Sequence, residues 1–172
     1  EDVFIIQKQK FINEIRILFG GRMGELLRFK MISTGAANDL EVATNLVRKM
    51  GCEYGMLEEL GWLTYGKRQQ EVFLGKQVYE DRNYSDKTQA KIDEVIAKAI
   101  VKFAGKAWKI LEQNKEAVEK IAAVLLEKRS VTGEEFSKLV SGYVAPENLI
   151  KEVYDAKEED ASGTPPWMKY KN

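Results

Sequence analysis

The stretch best equipped for chemistry is residues 33–41, STGAANDLE, a run of small residues leading into a helical pattern whose first turn holds Asp39 and Glu41. Three readings of those acids compete. They can complement the positive end of a helix dipole, since acids in a first turn face exposed backbone amides. The turn itself could bind an anion, although acidic side chains there oppose it. Or Asp39 could serve as a metal ligand, completed by groups elsewhere in the protein. The sequence contains no histidine. That removes a Ser-His-Asp triad and any zinc site that uses imidazole from this chain. Acid–base work at neutral pH would fall to shifted carboxylates or lysines. The single cysteine, Cys52, excludes an intrachain disulfide and, with no histidine partner, reads as a small buried thiol.

Composition sets the bounds around this segment. The chain has 172 residues, 44% of them hydrophobic, enough for one domain with a real core. Lys and Arg total 27, as do Asp and Glu, so the formal net charge is zero. Without a basic excess or stripe, nucleic-acid binding is not expected. Short runs such as Lys8 to Lys10 and Lys67-Arg68 read as solvated faces. No apolar run approaches the roughly 20 residues of a membrane span, and no signal peptide is visible. The sequence opens on Glu1, which reads as part of something longer.

Helical periodicity dominates the elements that must position these residues. Residues 1–6 suggest a short strand. Phe11, Ile12, Ile15 and Leu18 or Phe19 share a helix face from Gln7 to Phe19. Gly20-Gly21 is expected to break or bend that helix before it resumes from Arg22 to Phe29. Asn38 is expected to cap a helix reaching Met50, with Leu40, Ala43, Val47 and Met50 inward and Gly51 ending it. Residues 52–84 are less regular, with a possible strand from Trp62 to Tyr65. The longest helix is expected from Ser85 to Gln113, its buried stripe being Ile92, Val95, Ile96, Ala99, Phe103, Ala107, Ile110 and Leu111. A second runs from Asn114 to Lys128, with Val118, Ile121, Ala122 and Leu125 inward, and the two read as a helical hairpin. Thr132-Gly133-Glu134-Glu135 is a capping-box pattern, and Pro146 could open a last helix. The reading is therefore a mainly α fold: one domain over residues 1–155 with room for short strands, then a polar tail over 156–172 that includes Trp167 and Met168.

Several motifs, in order, carry a resemblance. The run from Gly20 to Gly55, then Glu71 to Gly75, then Asn83-Tyr84-Ser85-Asp86, and a helical region bearing Thr88 and Ile92-Asp93, together resemble the peptidase domain of the FtsH family of ATP-dependent zinc metalloproteases. The resemblance covers roughly residues 1–140. It implies a zinc held by two histidines of a His-Glu-x-x-His helix and by the aspartate of an Asn-Asp-Leu motif, here Asp39. Glu25, the first acid after Gly20-Gly21-Arg22, could orient a zinc ligand or be an exposed helix carboxylate. Thr34, Gly35 and Asn38 would shape the approach to Asp39.

The chain departs from the family pattern at Gly24, Leu26, Lys30 and Leu57, and the His-Glu-x-x-His segment lies outside it. Glu25, Asp39, Glu41 and Cys52 form no compact ligand motif, so zinc binding by this chain alone is not expected. The resemblance further implies ATP and magnesium in a separate ATPase module and a homo-hexameric ring. It implies unfolded or membrane protein substrates and a place on the cytoplasmic face of a bacterial membrane, or an organellar equivalent, with membrane contact through segments outside this chain. The competing expectation is a non-catalytic helical module that assembles into the ring or binds adaptors.

Overall fold

A computed structural model describes residues 5–66 and 83–143. The possible strand residues 1–4, the segment Glu71 to Gly75, Pro146 and the tail lie outside them. The described chain is mainly α, with five α-helices and two short 3-10 turns, and among the described residues there is no strand. It divides into two compact units, one of residues 1–19 and 34–104, the other of residues 20–33 and 105–172.

Helix α1 spans Lys8–Phe29 without a break. The expected interruption at Gly20-Gly21 does not occur. Two glycines cost about 1 kcal/mol each in a helix interior. Against that, the apolar repeat carries straight through them: Phe11, Ile12, Ile15 and Phe19 are buried in the first unit, and Met23, Leu26 and Leu27 in the second. Burying side chains of this size contributes about 1.5–3 kcal/mol each. The strand suggested for residues 1–6 is also not formed where it is described: residues 5–7 carry no regular secondary structure, and Ile5 is exposed.

Helix α2 spans Ala37–Cys52. A 3-10 turn over Thr34–Ala36 winds directly into it, so Ala36 takes the cap position and Asn38 lies inside the first turn rather than capping it. Ala43, Val47 and Met50 are buried as expected, while Leu40 is only half-buried. Gly51 does not end the helix. A Cβ there would stand 2.9 Å from Leu60 Cδ1 and 3.0 Å from Leu57 Cδ1. The glycine is needed for close packing, and the helix runs one residue past it. The chain then folds back over this end. Met56 N–H donates to Met50 O, Tyr65 N–H to Cys52 O, and the Tyr65 hydroxyl to Leu60 O, at 2.8, 2.9 and 2.8 Å. Trp62 to Tyr65 form no strand, and Trp62 is 95% exposed.

Helix α3 spans Asp86–Gln113, its start set by Ser85, whose hydroxyl accepts from Thr88 N–H at 3.3 Å. Ile92, Val95, Ile96, Phe103 and Ala104 are buried in the first unit, Ala107 and Trp108 in the second. Ile15, Val47, Met50 and Ile92 are the largest fully buried side chains, all in the first unit. Helix α4 spans Lys115–Lys128 and α5 Gly133–Leu139.

The expected hairpin of α3 and α4 is not formed in that way. A single residue, Asn114, separates them. Its N–H donates to Ile110 O at 3.2 Å, and Val118 N–H donates to its carbonyl at 3.1 Å, so helical bonding continues on both sides. A reversal takes two to five loop residues. The close pair is instead α4 with α5. On α4 only Ala117 is buried, and of the residues expected inward Val118 and Ile121 are half-buried while Ala122 and Leu125 are exposed.

Candidate metal-ligand segment

Asp39 sits three residues beyond the cap position Ala36, in the first turn of α2 and half-buried. Ala36, immediately ahead of the helix, is 5% exposed and anchors its start. Among the described residues no hydrogen bond or ion pair engages the Asp39 carboxylate. Glu41 is exposed and Cys52 is buried without a disulfide. The first-turn amides favour a carboxylate at this position whether or not it has a further role.

Glu25 is placed very differently, in the second unit. Its Oε2 accepts from Arg22 Nη1 at 3.1 Å and from Ser33 N–H at 3.3 Å, while Oε1 accepts from the Ser33 hydroxyl. Arg22 Nη1 also donates to Ser33 O at 2.9 Å. The Ser33 hydroxyl bond, helped by Ser33 N–H and the Arg22 charge, outweighs partial desolvation and holds the Glu25 carboxyl below its ordinary value. Glu25 is thus neither a bare surface acid nor, within this chain, a group waiting for a partner.

The surroundings of Gly24, Leu26, Lys30 and Leu57 differ. Leu26 and Leu57 are buried, at 5% and 6% exposure, so apolar residues suit them. Gly24 has open space around it. Lys30 adopts φ 58° just past α1, where its N–H donates to Leu26 O at 3.2 Å. That left-handed position favours glycine. The Lys30 ammonium stands 5.8 Å from the centre of the Trp108 ring, a cation–π contact that offsets part of the strain.

Sequence reasoning missed two features of these units. Arg16 is buried on α1, its Nη1 3.2 Å from Asn13 Oδ1, and periodicity gives no warning of a charge there. The Ser33–Glu25 contact spans eight residues and has no sequence signature. Asp93 of α3 receives Arg48 of α2 at 3.5 Å and Gln89 Nε2 at 2.9 Å, an exposed network that helps hold those helices.

Among the described residues, no three of Cys, Asp and Glu converge as a metal site. Asp39 is a single carboxylate donor, and the described residues complete no metal site around it. The chain belongs to Peptidase family M41, whose model matches residues 1–139. It is 43% identical over 142 residues to the ATP-dependent zinc metalloprotease FtsH 1 of a Thermoanaerobacter species, a match covering 83% of this chain and 23% of that protein. It is 46% identical over 140 residues to FtsH of Caldicellulosiruptor bescii, covering 81% and 23%. A longer match, to FtsH of Magnetococcus marinus, is 36% identical over 165 residues and covers 96% and 24%. The chain therefore spans less than a quarter of the length of these relatives. No helix among the described residues is long and apolar enough to cross a membrane.

Proposed function

We propose that this chain is the part of an ATP-dependent zinc metalloprotease that supplies the aspartate ligand of its zinc, through Asp39. The observation that carries this reading is the Asp39 carboxylate. It stands in an Asn-Asp-Leu motif at a helix start, with no bond to the described residues, in a chain of the M41 family. When bound, zinc supplies a Lewis acid and a water activated for attack on a peptide carbonyl. This chain's own part is narrower. Asp39 offers one oxygen ligand, the 3-10 turn and first turn of α2 aim it, and the buried face of α2 fixes that helix. The remaining ligands and the general base are imidazoles and a glutamate from outside this sequence, which has no histidine.

The same reading places ATP and magnesium in a separate ATPase module and gives a membrane-anchored homo-hexamer on the cytoplasmic face, or an organellar equivalent. Its substrates are unfolded or membrane proteins. In the full-length protein, Asp39→Ala is expected to abolish proteolysis and release zinc while ATP hydrolysis continues. Wild-type zinc content and proteolysis in that variant would remove Asp39 from the site. One observation favours a second reading, a non-catalytic interaction module: Leu125, Leu126 and Phe136 on α4 and α5 are 41%, 86% and 48% exposed. That reading takes over if the full-length protein binds no zinc at all.

A further inference from the structure

The loop that folds back over the end of α2 has a fixed backbone, yet it turns its largest side chain to solvent. Leu57 and Leu60 are buried beneath it. Leu60 N–H donates to Leu57 O at 3.1 Å and Gly61 N–H to Glu58 O at 3.0 Å, closing a 3-10 turn over Glu58–Leu60. The chain then reverses at Gly61, φ 73°, and brings Trp62 back to Gly55. The approach is so close that a Cβ on Gly55 would stand 3.3 Å from Trp62 Cα. Residues 53–55 and 61–62 therefore lie side by side, within the first unit. On this small platform Tyr54, Trp62 and Leu63 are 44%, 95% and 62% exposed. Apolar side chains on backbone that is already ordered can take a partner with little further loss of freedom.

Charge decides which partner. From Gly51 to Gly66 the chain carries Glu53, Glu58 and Glu59, all exposed, and no lysine or arginine. Lys98 of α3 is in range of Glu59, but its ammonium is held by Glu94 at 2.6 Å. The carboxylates repel nucleic acid and anionic lipid surfaces and attract a cationic chain. An indole takes either an aliphatic side chain or a cation over its face, and is the best of the aromatic rings for the second.

We propose that Tyr54, Trp62 and Leu63, ringed by Glu53, Glu58 and Glu59, are a docking surface for a polypeptide segment in which lysine or arginine alternates with apolar residues. Trp62 is the anchor, and the glutamates set orientation and rate of encounter. That the segment belongs to a substrate rests on the protease reading; the binding chemistry does not.

The test uses the full-length protein, stripped of zinc by a chelator so that nothing is cleaved. The probe is a labelled, unstructured peptide of alternating lysine and leucine, read by fluorescence anisotropy. Trp62→Ala is expected to weaken binding roughly tenfold at an unchanged unfolding midpoint. Joint replacement Glu58→Gln and Glu59→Gln should weaken it roughly threefold and flatten its salt dependence. A peptide with glutamate in place of lysine should bind at least roughly tenfold more weakly. Wild-type affinity in Trp62→Ala overturns the proposal, as does a loss that tracks a fall in the midpoint. Equal binding of the acidic peptide overturns it too. So does a change of oligomeric mass in Trp62→Ala with peptide affinity intact, which would assign the patch to a second copy. Asp39→Ala separates this from the ligand reading: it should bind the peptide as the wild type does. If Asp39→Ala keeps zinc and proteolysis, the ligand reading fails and the docking surface stands. If it loses both while Trp62→Ala binds peptide normally, the docking surface alone is wrong.

Discussion

Two glutamates in this molecule perform nearly the same chemistry at different range. Glu135 accepts from Thr132 N–H at 3.0 Å and from the Thr132 hydroxyl at 3.3 Å, with Lys128 Nζ at 3.0 Å. Glu25 accepts from Ser33 N–H and hydroxyl, with Arg22 beside it. Each is a carboxylate gripping both donors of one hydroxyl residue, with a cation in support. In the first case three residues separate the partners, and Glu135 N–H returns a bond to Thr132 at 3.2 Å, completing a capping box. In the second, eight residues and the end of a helix intervene. The local grip follows from helix geometry and is visible as a sequence pattern. The longer one exists only after α1 has extended past its two glycines and turned at Lys30.

The difference can be tested by asking how far each perturbation spreads. The largest effect should come from neither grip: Ile15→Ala, in the packed half of α1, is expected to cost about 2–5 kcal/mol in denaturant unfolding. It should loosen amides throughout the first unit, and an effect confined to α1 would show that the helix stands without its packing. Thr132→Ala should cost about 1 kcal/mol, with faster hydrogen exchange limited to α5. Spread of that exchange into residues 30–36 would erase the distinction between local and long-range grips. Gly20→Ala should stabilise by about 0.5–1 kcal/mol, since a Cβ there meets nothing within 4 Å and helical alanine is favoured. A loss instead would mean that the glycine is kept for a partner.

The subtlest effect is the pH response. Glu25 is held below 4.5 chiefly by the Ser33 hydroxyl, and Glu135 chiefly by Thr132 N–H and then Lys128. A depressed carboxyl contributes stability above its unfolded value and loses it as the pH falls through its folded value. Both grips should therefore be intact above about pH 4.5 and open on further acidification. Carboxyl NMR titrations should find both midpoints below 4.5, and Ser33→Ala should raise that of Glu25 alone.

What the sequence made legible follows the same division by range. Ser85, the capping box and the stripe Ile92, Val95, Ile96 and Phe103 were readable because each depends on neighbours three or four residues away. The strand expected near Trp62 and the break expected at Gly20-Gly21 failed because burial elsewhere decided them. Gly51 was read as a stop, but the two leucines that press on it come from the following loop. Asn38 lost its cap role to a 3-10 turn that periodicity does not register. At the candidate site, the Asn-Asp-Leu motif pointed to Asp39. The engagement of Glu25 by Ser33 depends on the path of the intervening chain, and no spacing rule reports it.

One joint reaches beyond the question of zinc. Gly66 N–H donates to Asn83 Oδ1 at 2.8 Å, and the rings of Tyr65 and Tyr84 meet edge to face at 5.9 Å. The chain is thus gathered into a neck at 65–66 and 83–84. This fastening ties the segment that folds back over the end of α2 to the residues that lead into α3, so the two helices share a support outside their packed faces.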